Sequence, residues 1–544
     1  MNTHHNAETT DLPWRKDAPK ARRAAMELYS WREPGWVFMI AIAGALLFVG
    51  LAVLSPALLS LMPTVDLIAP IAEARAVMSG EAGLADHEAP LYLLLLIGAD
   101  VFVDAPGRVH LIAKALGAVL IFYPLAFLSS SRFPAIFAAV LTIAYSAFVV
   151  SPFAGIEEIG LALLLVAALS FVSVSADESL SRARIEGAIG GSCLYGLWLV
   201  NPAFALVGFA VLSACPFLTG RYGLWRYVSA LAAFAILAIF FELIAFGINV
   251  ERAALASSSI NLAMLFNGSE SGLGLGGAAY AAILVIFVSA VFGGHAHRKN
   301  WMAAFVILIA GMFAARVTGA NAMPVFGLAA GLACFSVASP FYDGLFKAHD
   351  RASVSVALIS AALAMFWTFS IIIHSVGQFS LQHQVTAKAP ENIRAELALV
   401  QPGGPTIAKW VEEGRFSTPE AREFFALTPV DQSAMLLEAA SRARQLTAAG
   451  VDIAFLTGAD TACVLAESRN CRADGTAAAN AANVVFVPRL DMDPKTAAAK
   501  GKAEALLYTQ FKMVERTALW EIWVRRDAVV PAKLFKISDA GMYR

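Results

Sequence analysis

Long apolar runs with few charges recur along most of this 544-residue chain, and they constrain its fold more than any other feature. A helix needs roughly 20 apolar residues to cross the hydrocarbon core of a bilayer. With 58% hydrophobic and 15% charged residues, the chain is not an ordinary soluble globule. We predict a polytopic α-helical membrane protein with about eleven spans. They lie near 36–59, 108–128, 133–152, 159–176, 185–200, 202–218, 227–248, 274–294, 301–315, 320–340 and 353–376.

Composition divides the chain into three parts. Residues 1–35 form a basic tail without a signal-peptide core or cleavage site, and we expect them in the cytoplasm. Residues 36–377 hold the predicted spans. Residues 378–544 are more polar and are long enough for a core of their own, so we expect a soluble domain there.

Local patterns predict that this C-terminal domain is α/β. Apolar periodicity from Asp431 to Ala449 indicates a helix, with Asp431 as its N-cap and Gly450 as its stop signal. The stretches "VDIAFLT", "NVVFVPRL" and "LWEIWV" have the composition of strands. Nothing in these residues predicts what the domain binds.

The apolar run 90–103 is too short to span a bilayer as a helix. If it crossed, four later basic loops would lie outside, against the preference of Lys and Arg for the cytoplasm. If it does not cross, residues 60–107 form one external loop on the side that also receives Glu157 and Glu158. We therefore predict that 90–103 does not span. The loops that decide this are "SRAR", "GRYGLWR", "HAHRKN" and "KAHDR".

Several motifs in this order resemble the GT-C glycosyltransferases, in particular the protein O-mannosyltransferase and lipid A aminoarabinose transferase branch. The resemblance covers roughly residues 36–377. It implies transfer of a sugar from a polyprenyl-phosphate donor to a lipid, glycan or protein acceptor at the outer face of the bacterial inner membrane. The motifs are "TVDLIAPIAEARAVMSGE", "DHEAPLYLLLL", "RVHLIAKALGAVL", "SPFAGIEEIGLALLL" and "RVTGANAMPVFGLAAGLA".

The resemblance assigns catalytic roles to three acids. Asp66 matches the first-loop acid that takes the proton of the acceptor hydroxyl, and Glu157 or Glu158 matches the second acid. Asp66 is equally suited to cap the following helix, and the two glutamates are favoured at a helix start in any case. Leu67 stands where the family commonly has Glu, and the proline doublet is reduced to Ala89-Pro90.

Other charged and polar residues are candidates for substrate binding. Positive charge is needed at a leaving phosphate, and His110 and Lys114 share a helix face because they are four residues apart. Glu242 is a candidate because ionisable side chains in spans often mark function, although an interfacial carboxylate that reaches water is equally compatible. The full set is Asp86, His87, Glu88, Tyr92, Arg108, His110, Lys114, Glu242 and Arg316.

Cofactors and partners follow from the same resemblance. Some relatives need a divalent cation and others do not. The protein therefore either needs Mg²⁺ or Mn²⁺ or works without a metal. We expect membrane lipids and a polyprenyl-phosphate sugar as partners, no nucleic acid, and an acceptor or envelope-assembly protein for the C-terminal domain in the periplasm. Cys463 and Cys471 are the only cysteines of that domain and suggest a disulfide.

Two other classes of function are compatible with the sequence. One is a catalytically inactive scaffold of a polysaccharide assembly complex, which the departures from the motif allow. The other is a lipid or glycan transporter, although the acids lie mostly at one face and no second copy of the first half is found. The residues 249–273, rich in Gly and Ser, suggest a mobile external loop that closes over substrate.

Overall fold

A computed structural model describes most of the chain after residue 88, along with parts of residues 70–84 and single positions at 463 and 535. The longer described stretches are 89–101, 106–151, 155–173, 178–259, 276–293, 298–318, 320–335, 351–387, 429–456, 471–472, 479–489, 494–517 and 520–531. The predicted first span, 36–59, and the basic tail lie outside these residues.

The described residues between 89 and 387 are almost entirely helical. Twelve helices are described in this part of the chain: α1 Pro90–Asp100, α2 Pro106–Ser130, α3 Ala135–Val150, α4 Ile156–Val172, α5 Leu180–Val200, α6 Pro202–Leu218, α7 Gly223–Ile244, α8 Ile248–Ser259, α9 Gly276–Gly293, α10 Arg298–Thr318, α11 Met323–Phe335 and α12 Arg351–Ala387. Ten of them correspond to predicted spans, because uninterrupted apolar runs bounded by Pro, Gly or charges mark helix ends. The last, α12, continues to Ala387, beyond the predicted span end at 376 and past the predicted domain boundary at 377.

Among the described helices, four are long and apolar enough to cross a bilayer: Val109–Ser130, Gly223–Ile244, Lys299–Thr318 and Ile359–Gly377. Other apolar helices are shorter than this, so the predicted number of eleven spans is not confirmed. Helix α1 has 11 residues and is about 16 Å long at 1.5 Å per residue. That length is about half of what a bilayer core requires.

Glycines allow α5 and α7 to lie backbone against backbone. A Cβ atom at Gly187 would clash with the backbone of Arg226, and one at Gly191 would clash with the carbonyl oxygen of Ala230. Small residues four apart permit this approach in membrane helices, where close packing stabilises helix pairs. The two helices thus start at the same end of the bundle, and α6, which connects them along the chain, runs in the opposite direction.

The chain between α7 and the next span contains a helix. Gly247 has a left-handed φ of 87° and separates α7 from α8. The predicted mobile loop 249–273 is therefore wrong for its first part, where "INVERAALASSS" forms α8. Ala, Glu and Leu in this stretch favour a helix, and this preference outweighs the Ser content that suggested a loop.

The C-terminal part contains a small α/β fold. The elements are α13 Pro429–Ala448, β1 Ile453–Phe455, β2 Cys471–Arg472, β3 Val484–Pro488, α14 Pro494–Gln510, β4 Phe511–Arg516 and β5 Trp520–Arg525. The strand order is β2-β1-β3-β5-β4, with β1 parallel to both β2 and β3 and the other pairs antiparallel. The predicted helix and three strands are confirmed, and Gly450 ends α13 with a φ of 75°.

Candidate functional site

The residues that precede α1 pack against it as an amphipathic segment. Residues 70, 71, 73–75, 77 and 78 are helical, with Ile71 and Ala74 fully buried. Arg75 donates to the Asp100 carboxylate at 3.0 and 3.2 Å. This contact ties the segment to the C-terminal end of α1.

Tyr92 and His110 form a buried polar pair between α1 and α2. The Tyr92 hydroxyl lies 2.5 Å from His110 Nδ1 and 3.2 Å from Nε2, and the two rings meet edge to face. The helices also pack closely near Gly117, where a Cβ would lie 3.5 Å from the side chains of Leu95 and Ile159, in ordinary van der Waals contact. The pair therefore has a fixed position at the start of α2.

Lys114 lies one turn further along α2 and is buried, with 1% of its surface exposed. Its Nζ donates to the carbonyl oxygen of Ser151 at 2.8 Å. The negative charge of Glu158 favours the charged form of this ammonium group, and the positive charge of Lys114 disfavours a positive charge on His110. A buried ammonium ion needs such partners, because leaving it uncompensated costs several kcal/mol.

Glu157 and Glu158 occupy the first turn of α4 and are half-buried. Glu158 Oε2 accepts from the backbone N–H of Gly155 at 2.6 Å, which is the half of a capping box that the N3 side chain supplies. The charge of Glu157 acts on Tyr92. Five predicted residues thus converge at one end of the bundle: Tyr92, His110, Lys114, Glu157 and Glu158. We call them the lysine–glutamate group.

Four predicted residues, Asp66, Asp86, His87 and Glu88, lie outside the described part of the chain, and so does the side chain of Arg108. Arg316 is exposed in the last turn of α10. Cys463 is disulfide-bonded, whereas the side chain of Cys471 lies outside the described residues. The structure therefore brings together only part of the predicted site.

Glu242 lies at the end of α7 and lines a cavity there. It accepts from the backbone N–H of Gly247 at 2.7 Å and of Asn249 at 3.2 Å, and from Asn249 Nδ2 at 2.9 Å. These bonds fix the turn between α7 and α8. Beside it lies a cavity of about 540 Å³ lined mainly by Trp198, Phe209, Phe234 and Leu243.

The opposite end of the bundle holds a buried ion cluster that the sequence did not reveal. The Glu186 carboxylate in α5 accepts from Arg132 at 2.8 Å, from Arg226 at 2.7 Å and from Arg182 at 3.0 Å. The side chains of Arg132, Glu186 and Arg226 are fully buried. We call these four residues the arginine cluster.

Glu178 and Ser173 complete the surroundings of the arginine cluster. Both buried arginines donate to the carbonyl oxygen of Ser173, and Glu178 lies 3.9 Å from Arg226. Burial raises the pKa of Glu178, and Arg226 opposes that rise. The cluster thus joins the ends of α2, α4, α5 and α7.

Ser151 was also missed by sequence reasoning. It ends α3, is 3% exposed, and has a hydroxyl without a hydrogen-bond partner among the described residues. A lone serine after an apolar run resembles an ordinary helix cap, so no local signal could have identified it.

No group of three or more His, Cys, Asp or Glu side chains that could hold a metal ion is found among the described residues. Carboxylate oxygens such as those of Glu157 and Glu158 are of the type that Mg²⁺ and Mn²⁺ prefer. Glu158 already accepts from a backbone N–H and acts on Lys114. These two acids alone therefore do not make a complete cation site.

Comparison with known proteins gives only distant likenesses. No family model and no curated protein matches the chain. It is similar to the crystal structure of ArnT from Cupriavidus metallidurans in the apo state, with a TM-score of 0.48, 12% identity and coverage of 91% of this chain and 99% of that one.

The same protein bound to undecaprenyl phosphate has a TM-score of 0.46 and 13% identity, and the match covers 90% of this chain and 98% of that one. ArnT belongs to the GT-C superfamily that the sequence motifs resemble. Because both TM-scores lie below 0.5, the likeness carries no argument about the activity of this chain.

Proposed function

We propose that the chain is a membrane glycosyltransferase of the GT-C type, which moves a sugar from a polyprenyl-phosphate donor to a lipid, glycan or protein acceptor. The observation that carries the proposal is the lysine–glutamate group. A buried cation and two carboxylates meet at one helix end, beside an amphipathic segment that is attached through Arg75 and Asp100.

In the proposed reaction, the bond between sugar C1 and the carrier phosphate oxygen breaks, and a bond from C1 to the acceptor oxygen forms. The acceptor hydroxyl loses its proton to a carboxylate, for which Asp66 is our candidate base. General-base catalysis of this kind contributes about 10²–10⁴-fold. The proton remains on Asp66, and the carrier leaves as a phosphate with one additional negative charge.

The positive charge of Lys114 is suited to the developing charge on that phosphate. A charge that is already positioned and shielded from water costs no reorganisation during the reaction, and loss of one such group reduces turnover by about 10²–10³-fold. The Tyr92–His110 pair lies next to it and would orient the phosphate or the sugar. Glu157 and Glu158 would hold Lys114 in place or assist the base, with or without a divalent cation.

The charge distribution also supports a location of the group at the periplasmic face. The arginine cluster, Arg184 and Arg221 lie at the opposite end, where the positive-inside rule expects the cytoplasm. A cysteine placed at Ala105 should then react with an impermeant thiol reagent from outside the cell. Labelling only after permeabilisation would contradict this orientation.

The first test is mass spectrometry of envelope lipids and glycans from a deletion strain that carries wild-type protein, Asp66→Asn or Lys114→Gln. We expect wild type to restore a sugar-sized mass and both variants to fail while present in the membrane at normal amounts. Lys502→Gln in the C-terminal domain is a matched control. If both site variants restore the mass, the inactive scaffold or the transporter becomes the better explanation.

A further inference from the structure

The end of the bundle that holds the arginine cluster carries excess positive charge. Three guanidinium groups, those of Arg132, Arg182 and Arg226, surround the single carboxylate of Glu186. Glu178, at 3.9 Å from Arg226, is the second acid in contact with the cluster. Because buried charges are screened less than exposed ones, this excess makes the electrostatic potential of the adjacent surface more positive.

Two exposed arginines stand on that surface. The Arg184 guanidinium lies 4.5 Å from the ring centre of Trp225, and that of Arg221 lies 5.6 Å from the ring centre of Tyr222. Neither of them has an ion-pair partner among the residues that the structure describes. Their charges are therefore available to an anion from outside the protein, with the aromatic rings fixing their positions.

The same surface is apolar between the charges. Leu224 is 63% exposed, Ile185 is 51% exposed and Phe217 is 81% exposed. Trp225 lies in the first turn of α7, one of the helices that is long enough to cross a bilayer. Tryptophan at a span end marks the level of the lipid headgroups.

We propose that Arg184, Arg221, Trp225 and Leu224 form a binding surface for an anionic phospholipid. The lipid phosphate would contact the two guanidinium groups, and the acyl chains would lie along the exposed apolar side chains of α5 and α7. Apolar neighbours favour a lipid over a free phosphate ion or an acidic protein. This surface is independent of the lysine–glutamate group, since the two lie at opposite ends of the bundle.

The surface has a further consequence for packing. Gly187 and Gly191 hold α5 and α7 together directly behind it, and the arginine cluster lies beneath. A lipid bridging Arg184 of α5 and Arg221 before α7 would therefore contact both helices of this pair. Its binding should raise the thermal stability of the protein, because a ligand that binds only the folded state stabilises it.

The test is a lipid titration of the purified full-length chain in detergent, followed by native mass spectrometry and thermal unfolding. The probes are phosphatidylglycerol, phosphatidylcholine and inorganic phosphate. The variants are Arg184→Gln/Arg221→Gln, the charge-preserving Arg184→Lys/Arg221→Lys, and the control Lys502→Gln/Arg516→Gln. The control removes two exposed positive charges from the C-terminal domain.

We expect wild type to bind phosphatidylglycerol more tightly than phosphatidylcholine. Each basic residue near a lipid surface contributes about fivefold in affinity, so the double glutamine variant should lose roughly 20- to 30-fold for phosphatidylglycerol. Binding of phosphatidylcholine should change less than about twofold. The lysine variant should retain most of the preference for phosphatidylglycerol, and the control should retain all of it.

Three results would overturn the proposal. One is unchanged phosphatidylglycerol binding in the double glutamine variant. Another is an equal loss for both lipids, which would indicate a purely apolar surface. The third is competition by inorganic phosphate at millimolar concentration, which would indicate a site for free anions instead. If the glutamine variant does not fold, the lysine variant and the phosphatidylcholine comparison in wild type still decide the question.

Discussion

Replacement of Glu186 by Gln should destabilise the membrane domain more than any exposed charge change. The carboxylate is fully buried and accepts hydrogen bonds from three arginines at 2.7 to 3.1 Å. Removing its charge leaves Arg132 and Arg226 buried with Glu178 at 3.9 Å from Arg226 as the remaining acid. Breaking a buried ion pair in this way costs about 3–5 kcal/mol.

The assay is thermal unfolding of the purified chain in detergent, followed by tryptophan fluorescence. At about 1–2 °C per kcal/mol for a domain of more than 250 residues, a loss of about 4 kcal/mol lowers Tm by roughly 4–8 °C. Glu251→Gln, an exposed acid in α8, is the control and should change the free energy of unfolding by less than about 0.5 kcal/mol.

A double-mutant cycle separates charge from packing. Arg132→Met removes one cation, so Arg132→Met/Glu186→Gln should be less destabilised than the sum of its single variants, by at least about 1 kcal/mol. Additive effects would refute the view that the carboxylate acts by neutralising these arginines. A fall in Tm of less than about 3 °C for Glu186→Gln would refute it as well.

Three further predictions concern other parts of the chain. Lys114→Gln should reduce sugar transfer per folded molecule by about 10²–10³-fold, measured with an undecaprenyl-phosphate-linked sugar. Full activity would remove Lys114 from the mechanism. Gly191→Ala should destabilise the α5–α7 contact by about 1–3 kcal/mol. Gly377→Ala is the control, because a Cβ there meets nothing within 4 Å. Equal Tm values for the two variants would contradict the close approach of α5 and α7. Burial raises the pKa of Glu438 above its ordinary value of 4.5, so the charged form is disfavoured in the folded state. The C-terminal fold should then lose stability as pH rises through the raised pKa. Compared with wild type, Glu438→Gln should slow hydrogen exchange of α13 at pH 7 but not at pH 4. If the difference between the two proteins instead grows as the pH falls, the pKa of Glu438 is lowered by folding and not raised.

Local signals predicted the C-terminal elements well. The helix before Gly450 has an apolar period and a glycine that can adopt positive φ. Strand β3 is a continuous apolar run, and β5 is apolar apart from Glu521 and its last residue, Arg525. Strand β4, Phe511–Arg516, was missed because Lys512 and Glu515 interrupt its apolar residues. Helix α14 was missed because its Ala and Lys content gives no apolar period.

The candidate site could be predicted only through topology. Lys114 and Glu158 are far apart in sequence, and the two predicted spans between them, 108–128 and 133–152, return the chain to the same face. The argument that 90–103 does not cross adds Asp66 to that face. The structure places Lys114 close enough to Glu158 for the carboxylate charge to act on it. The arginine cluster could not be predicted in this way, because Arg132, Arg182 and Arg226 each resemble an ordinary loop or helix-end charge, and their meeting at Glu186 depends on packing of four helices.

The arginine cluster also has a consequence for biosynthesis. The ribosome delivers Arg132 first, Glu186 next and Arg226 last. When α5 enters the membrane, its buried acid can already pair with the arginine that follows α2. The second buried arginine then arrives with α7 at a glycine-lined surface and a preformed carboxylate. The order of the charges along the chain therefore gives each new helix a partner at the time of its insertion.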